Sequence, residues 1–270
     1  MQTAEPFADG GGLCATTFSA VNAQATRTAD PARSWRLRPW PNDPTVAHLV
    51  FLDHLTTPSE ATVADATARA RARGAKTVRT SALFPRAADV VLSLGYVPVD
   101  TLALLRLDLT THTTSSAARV PSVRDPISTR PMRRWHLART AAIDVEAFGD
   151  LWGNSAESLR EIRSATPASR ARVAGGGGPF ARSSIIGFAI SGVAGPNGYL
   201  QRIAVQPAAQ RSGVGSALVS DAIQWMRCRQ LSSVLVNTGI DNTAALALYE
   251  QFGFRRLSEQ LVIAEHRFTA

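Results

Sequence analysis

The residues Gln210-Arg211-Ser212-Gly213-Val214-Gly215-Ser216 have types and spacing that can do chemistry. Ahead of them, residues 200–205 read as a strand; behind them, Val214, Leu218, Ala222 and Trp225 recur at the spacing of one helix face. A glycine loop between a strand and a helix start is a site for an anion. Glycine lets the backbone approach a ligand closely, and the first N–H groups of the helix, which have no acceptor within it, point with the positive end of the helix dipole at negative oxygens. A diphosphate fits that chemistry, and its kind is narrowed by what the loop lacks. A nucleoside triphosphate loop needs Lys then Ser or Thr after its last glycine, and Lys76 is the only lysine in the chain. A dinucleotide fingerprint wants glycine three residues after Gly215, where Leu218 stands, which argues against NAD and FAD.

Other chemistries find less support. Cys14 and Cys228 lie far apart with no CxxC pattern, and the five histidines hold no pair four residues apart, so neither a disulfide framework nor a metal site is expected. The net charge of +8 rests on scattered arginines in an alanine-rich chain without interleaved aromatics that could stack bases, which argues against a nucleic-acid partner. No stretch reaches the roughly 20 apolar residues that cross a bilayer. Residues 1–12 also lack the basic-then-apolar order of a signal peptide, so the expectation is a cytoplasmic protein with no membrane partner. With 270 residues, 45% of them hydrophobic and 19% charged, the chain can bury a core unaided.

The elements that must position the glycine loop follow from periodicity. Residues 1–33 show no period and read as a mobile leader. Then come a strand at 46–52, a helix opened by Pro58-Ser59-Glu60 and closed by Gly74, a strand at 77–83, a helix with Pro85 in its first turn and Gly95 at its end, and a strand over 97–109. In that last strand Val99, Thr101, Ala103, Leu105 and Leu107 alternate against a more mixed face. Residues 110–128 are small, polar and proline-containing, the composition of a linker. Beyond it the pattern predicts a strand near 132–137, helices over 140–148 and 156–163, and a flexible glycine-bearing loop over 168–179. A hairpin of strands 184–191 and 199–205, a helix over 213–229, a strand at 233–237, a helix over 243–252 and a strand at 257–266 complete the chain. The expected fold class is α/β (α+β), with a mixed, mostly antiparallel sheet flanked by helices.

Aligning Gly253-Phe254 with Gly95-Tyr96 brings 248–254 over 90–96 and the strand 257–266 over 99–108. The chain thus reads as a complete domain, 129–270, preceded by a partial copy of that domain's second half, 34–109. In this alignment Tyr249 falls opposite Val91 and Asn242 opposite Phe84, and no glycine loop precedes the helix at Ser59. The first copy is expected to bind no cofactor.

Gln210-x-x-Gly213-x-Gly215 resembles the Q/R-x-x-G-x-G/A signature of the GCN5-related N-acetyltransferase (GNAT) superfamily. Ile203-Ala204-Val205-x-Pro207 before it and Asn242-x-x-Ala245-x-x-Leu248-Tyr249-x-x-x-Gly253-Phe254 after it are similar to the flanking segments of that family. The resemblance covers 130–270 well and 34–109 in outline. It implies a GNAT fold, with a degenerate GNAT-like half-domain ahead of the catalytic one. It also implies acetyl-CoA as co-substrate, without a metal. The backbone of Ile203, Ala204 and Val205 would pair with the pantetheine amides. The N–H groups of Arg211, Ser212, Gly213, Val214, Gly215 and Ser216, with Gln210 at the head of the loop, would hold the pyrophosphate. Asn242 would cap its helix and reach the cofactor arm. Tyr249 would protonate the departing thiolate.

The general base is where the sequence departs from part of the family. Relatives that acetylate protein N-termini often carry Glu five residues ahead of the Asn, where Asn237 stands here, and others carry Glu on the strand before the loop, where Gln201 and Arg202 stand. None of the three can take a proton. A water relay to backbone carbonyls, or Asp144 or Glu146 from the preceding helix, could substitute, although both acids read as solvated surface groups. The resemblance therefore implies an N-acetyltransferase acting directly on an amine, of a small molecule or a protein N-terminus; a non-catalytic acyl-CoA sensor or interaction protein is the alternative.

Overall fold

The computed structural model describes residues 34–52, 56–110, 127–175 and 185–269. The leader 1–33, nearly all of the 110–128 linker and the glycines Gly176 to Gly178 lie outside the described residues. The first part of the chain runs β1 (Trp35–Trp40), β2 (Asp43–Phe51), α1 (Glu60–Ala72), β3 (Thr77–Thr80), α2 (Pro85–Ser93) and β4 (Val97–Asp108). After the linker come β5 (Ser128–Pro131), α3 (Leu137–Trp152), α4 (Ala156–Ser164), β6 (Ala168–Gly175), β7 (Ile185–Ala194) and β8 (Asn197–Val205). The chain closes with α5 (Val214–Cys228), β9 (Ser233–Gly239), α6 (Thr243–Gln251) and β10 (Arg255–Arg267).

The ten strands of the described residues join one mixed sheet in the order β1-β2-β3-β10-β4-β9-β8-β7-β6-β5. Its neighbours are antiparallel except β2 with β3 and β8 with β9. The order contains an exchange. Strand β4, from the first part of the chain, lies between β9 and β10, pairing with β9 from Leu102↔Gly239 to Asp108↔Ser233. Strand β10, from the end, lies between β3 and β4. Each part contributes an interior strand to the other.

Side-chain alternation assigns the layers. Ile203 and Val205 of β8 pack with Leu218 and Val219 of α5 and with Leu246 and Tyr249 of α6, while Ala204 between them faces Ile143 of α3 and Leu159 of α4. Val63 and Ala66 of α1 and Val91 of α2 cover the other end of the sheet with Leu49 and Val78. A fourth cluster, Leu102, Leu104, Tyr199, Leu261 and Ile263, lies on the central strands with Trp152 against it. The first part is tied across the sheet to α3: Trp40 Nε1 donates to Leu151 O at 2.8 Å, and Asn42 Nδ2 donates to Asp150 O at 2.8 Å and Gly153 O at 2.9 Å.

Three sequence expectations are corrected. The segment 168–175 is a strand rather than part of a loop, because its backbone pairs with β7 on one edge and with β5 on the other. The strand expected near 132–137 lies earlier, at Ser128–Pro131; Arg133 N donates to His136 Nδ1 at 3.0 Å and the chain turns through a short 3-10 segment, Arg134–His136. The face of β4 opposite Leu105 and Leu107 is not mixed in its centre: Leu102 and Leu104 are buried, because this strand has neighbours on both edges and layers on both faces.

Candidate functional site: a parted strand pair beside an open helix start

Strands β8 and β9 run parallel but are joined by three rungs only, Asn197↔Ser233, Gly198↔Val234 and Tyr199↔Leu235. Past Tyr199 they part, and Ile203, Ala204 and Val205 follow on the free side of β8. A bulge helps to turn β8 there. Ile190 faces Arg202 and Ser191 faces Leu200, so Gln201 is an extra residue between two rungs.

At the end of β8 the chain passes through a 3-10 turn, Pro207–Ala209, into the glycine loop. Arg211 (φ 60°) and Gly213 (φ 89°) both take left-handed backbone conformations, which turn the loop back onto the axis of α5. Gly213 is the N-cap; having no side chain, it leaves the helix start open, and no acidic residue occupies the first turn. Ser212 Oγ donates to Ala209 O at 2.7 Å and bends away from that start. The first helical backbone bond here is Ala217 N to Gly213 O, so the N–H groups of Val214, Gly215 and Ser216 precede the helix ladder. The structure thus brings the residues from Ile203 to Ser216 together at the open end of the strand pair.

Helix α6 supplies the other wall. Asn242 is its N-cap, with Oδ1 accepting from Ala245 N at 3.0 Å. Tyr249, about two turns further along, is fully buried, with its ring 5.6 Å from that of Phe254. Both residues belong to the helix expected over 243–252, and the capping half of the Asn242 expectation is seen directly.

The acids behave differently from expectation. Asp144 is not a solvated surface group: it is fully buried and accepts from Arg202 Nε at 2.8 Å and Nη2 at 2.7 Å, and from Asn154 N at 2.7 Å and Nδ2 at 3.1 Å. Arg202 also donates to Trp152 O at 2.9 Å and lies 3.7 Å over the ring of Phe148. Both oxygens of this carboxylate are engaged by Arg202 and Asn154, so it is the inner half of a buried ion pair rather than a group open to a substrate. Glu146 is partly exposed and bound to Arg139 at 2.9 Å. The helical spacing of 144 and 146 could not show that one of them meets Arg202, because that meeting depends on β8.

A carboxyl that sequence reasoning missed is Asp100, on β4. It shares a face with Leu102 and Leu104, and burial, with Asp241 nearby and against a backbone hydrogen bond from Thr101, raises its pKa above the ordinary value. No period or motif marked it, since β4 reaches this part of the sheet only through the strand exchange. Among the described residues, no group of three or more His, Cys, Asp or Glu is placed to hold a metal, and no helix is long and apolar enough to cross a membrane.

Comparison with known proteins agrees with this geometry. Residues 143–254 match the acetyltransferase (GNAT) family profile. The mycothiol acetyltransferase of Renibacterium salmoninarum is 41% identical over 54 residues, 20% of this chain and 16% of that protein. The ribosomal protein bS18-alanine N-acetyltransferase of Escherichia coli is 39% identical over 67 residues, 25% of this chain and 45% of that protein. The chain therefore spans less than half the length of either relative. Among solved structures, a tandem GNAT protein from the clavulanic acid biosynthesis pathway superposes with a TM-score of 0.61 at 15% identity, covering 86% of this chain and 78% of that one. A GCN5-related N-acetyltransferase from Sphaerobacter thermophilus gives 0.57 at 14% identity, covering 86% and 76%. A ten-stranded sheet with a parted parallel pair, an open helix start and a matching profile make this a chain that carries a domain of the acetyltransferase (GNAT) family, at residues 143–254.

Proposed function

We propose that the chain is an N-acetyltransferase that moves the acetyl group of acetyl-CoA directly to an amine, working in the cytoplasm. The observation that carries this reading is the parting of β8 from β9 after Tyr199, beside a helix start with neither a side-chain cap nor an acid. An anionic, amide-bearing ligand fits both features. The pyrophosphate would lie on the N–H groups from Arg211 to Ser216, with the Arg211 guanidinium available for charge compensation and Gln210 at the loop's entry. The free edge of β8 at Ile203, Ala204 and Val205 would take the pantetheine amides as a substitute strand, and Asn242 would border the arm.

In the reaction this ligand supplies an activated acetyl group. Backbone N–H on the parted edge of β8 would stabilise negative charge on the carbonyl oxygen as the amine attacks. Tyr249, on the first helix past the gap, would donate its phenolic proton to the departing thiolate. With Asp144 and Glu146 both paired, proton removal from the amine would pass to water held by backbone carbonyls of the parted strands. The first part of the chain, 34–109, would serve as a scaffold and form one wall of the acceptor groove.

Acetyl-CoA should raise the melting temperature of the full chain, and an amine panel should release free thiol from it. Stabilisation without thiol release from any amine would favour the alternative, an acyl-CoA sensor, which the lack of a proton acceptor at Gln201, Arg202 and Asn237 keeps in view. Tyr249→Phe keeps the ring and removes the donor; kcat should fall roughly 10²-fold with KM for acetyl-CoA little changed. An unchanged kcat would make the hydroxyl structural.

A further inference from the structure

The gap between β8 and β9 holds a buried side chain with nothing to bond. Asn237 is 1% exposed, and neither its Oδ1 nor its Nδ2 has a hydrogen-bond partner. Its face follows from its neighbours. Leu104, its cross-strand partner, and Leu235, two residues earlier, belong to the central cluster with Tyr199 and Leu102, whereas Val236 and Ala103 belong to the cluster under α5 and α6. Its depth follows from the register: Tyr199↔Leu235 is the last rung between the two strands, and Asn237 comes two residues beyond it, on the wall of the gap. Buried amides are normally bonded, since leaving oxygen and nitrogen both unmatched destabilises a fold. A ligand entering the gap would match them.

We propose that Asn237 binds the acceptor, with Oδ1 accepting from the N–H of the amine to be acetylated and Nδ2 donating to an oxygen beside that amine. This rests on the acetyl-transfer reading above. Two chemical requirements follow. The acceptor carries an oxygen next to its amine, as an α-amino amide does. The amine also binds neutral, because Asn237 offers only a partial charge, Arg202 on the same side of β8 is a cation already matched by Asp144, and the Asp100 carboxyl on the same face of β4 lies four residues along that strand from Leu104, the residue paired with Asn237. Neutrality favours α-amino groups, which titrate near 8, over alkyl ε-amino groups, which titrate near 10.4. The acceptor class is therefore an α-amino amide, in a small aminoacyl compound or at a peptide N-terminus, rather than a lysine side chain.

The test uses the full chain with alaninamide, a tripeptide beginning with alanine, and n-butylamine. After each rate is scaled to the fraction of neutral amine, kcat/KM for the two amides should exceed that for n-butylamine at least tenfold, the weight of one hydrogen bond. The ratio of tripeptide to alaninamide tells the two sources apart. Asn237→Leu is nearly the same size; it should cut the amide preference to within twofold, keep or raise the melting temperature, and leave the acetyl-CoA-induced rise in that temperature intact. A preference that persists in the variant, or is absent from the wild type, overturns the assignment, as does a variant several degrees less stable, which would make Asn237 structural. If the wild type turns over with no preference, this inference fails alone. If acetyl-CoA neither stabilises the wild type nor is consumed by it, the acetyl-transfer reading fails and takes this one with it.

Discussion

Both ends of the sheet lead a parallel strand into a helix, and they finish the junction differently. Strands β2 and β3 keep their ladder from Val46↔Thr77 to Leu49↔Thr80, and Ser81 N extends it to Leu49 O at 2.9 Å. Strands β8 and β9 stop after three rungs. Helix α1 is capped by Ser59, whose Oγ accepts from Thr62 N at 3.2 Å, and carries Glu60 in its first turn; α5 has Gly213 and no acid. With Phe84 set opposite Asn242, Arg79 falls opposite Asn237. Arg79 Nε and Nη2 bond Glu265 Oε2 at 2.9 and 2.6 Å, and its guanidinium lies 4.5 Å from the ring centre of Trp40 and 5.5 Å from that of Trp152. One junction is filled by its own side chains; the other is left for something to enter. The difference resides in a few residue choices at a strand pair and a helix cap, on a shared backbone plan.

The largest test removes one side of the comparison. A fragment of residues 125–270 holds every proposed cofactor residue but lacks β4, so β9 and β10 both lose a partner strand and Leu235 and Leu261 lose cover. It should aggregate or fail to fold, as read by size-exclusion chromatography and circular dichroism; a soluble fragment with the full chain's kcat/KM would make the first part an independent module.

A finer test makes the open helix start resemble the filled one. Ser216→Glu places an acid in the first turn of α5, as Glu60 stands in α1. A negative charge there suits the helix dipole, so the melting temperature should hold or rise slightly, while affinity for acetyl-CoA should drop on the order of tenfold to a hundredfold through repulsion of the diphosphate. Unchanged affinity by calorimetry would move the pyrophosphate away from this helix.

The smallest effect expected concerns the filled junction. Counting from the rungs Val46↔Thr77 and Tyr199↔Leu235, His48 corresponds to Gln201. Burial, with Arg38 and Arg79 close by, pushes the imidazole of His48 down to about 4, and its ring packs 5.0 Å from Trp40. Between its unfolded value near 6.5 and about 4, the unfolded chain binds a proton that the native chain does not. Native stability should therefore fall as pH drops through that window, and His48→Gln should remove that part of the slope in denaturant titrations. An identical slope in the variant would assign the acid sensitivity to other groups.

Local features were legible where one stretch of chain decides them. Ser59 and Pro85 announced helix starts, Gly74 and Gly95 helix ends, and Gly195-Pro196 a hairpin turn, because caps and turns depend on neighbours in sequence. The glycine loop was legible for the same reason. Strand β6 was not, since the glycines from Gly175 onward made the whole segment read as loop, whereas its strand depends on β5 and β7 at its edges and on Asp221 of α5, which pairs with Arg170 and Arg172. The burial of Asp144, the arrival of Asp100 near Asp241 and the exchange of β4 and β10 all depend on which strand lies next to which. A period of two reports which face a residue occupies and carries no information about the neighbouring strand.

The exchange of β4 and β10 also bears on how the chain is made. Because β10 follows every other described strand in the sequence and its place is between β3 and β4, the first part of the molecule leaves the ribosome with open edges on two strands that will later be interior. Nothing translated before residue 255 can cover those edges in the native way, so the sheet closes only once β10 has been made. A chain that stops between β9 and β10 holds two unfinished sheets rather than one finished domain and one missing one, so loss of β10 is a lesion of the whole molecule.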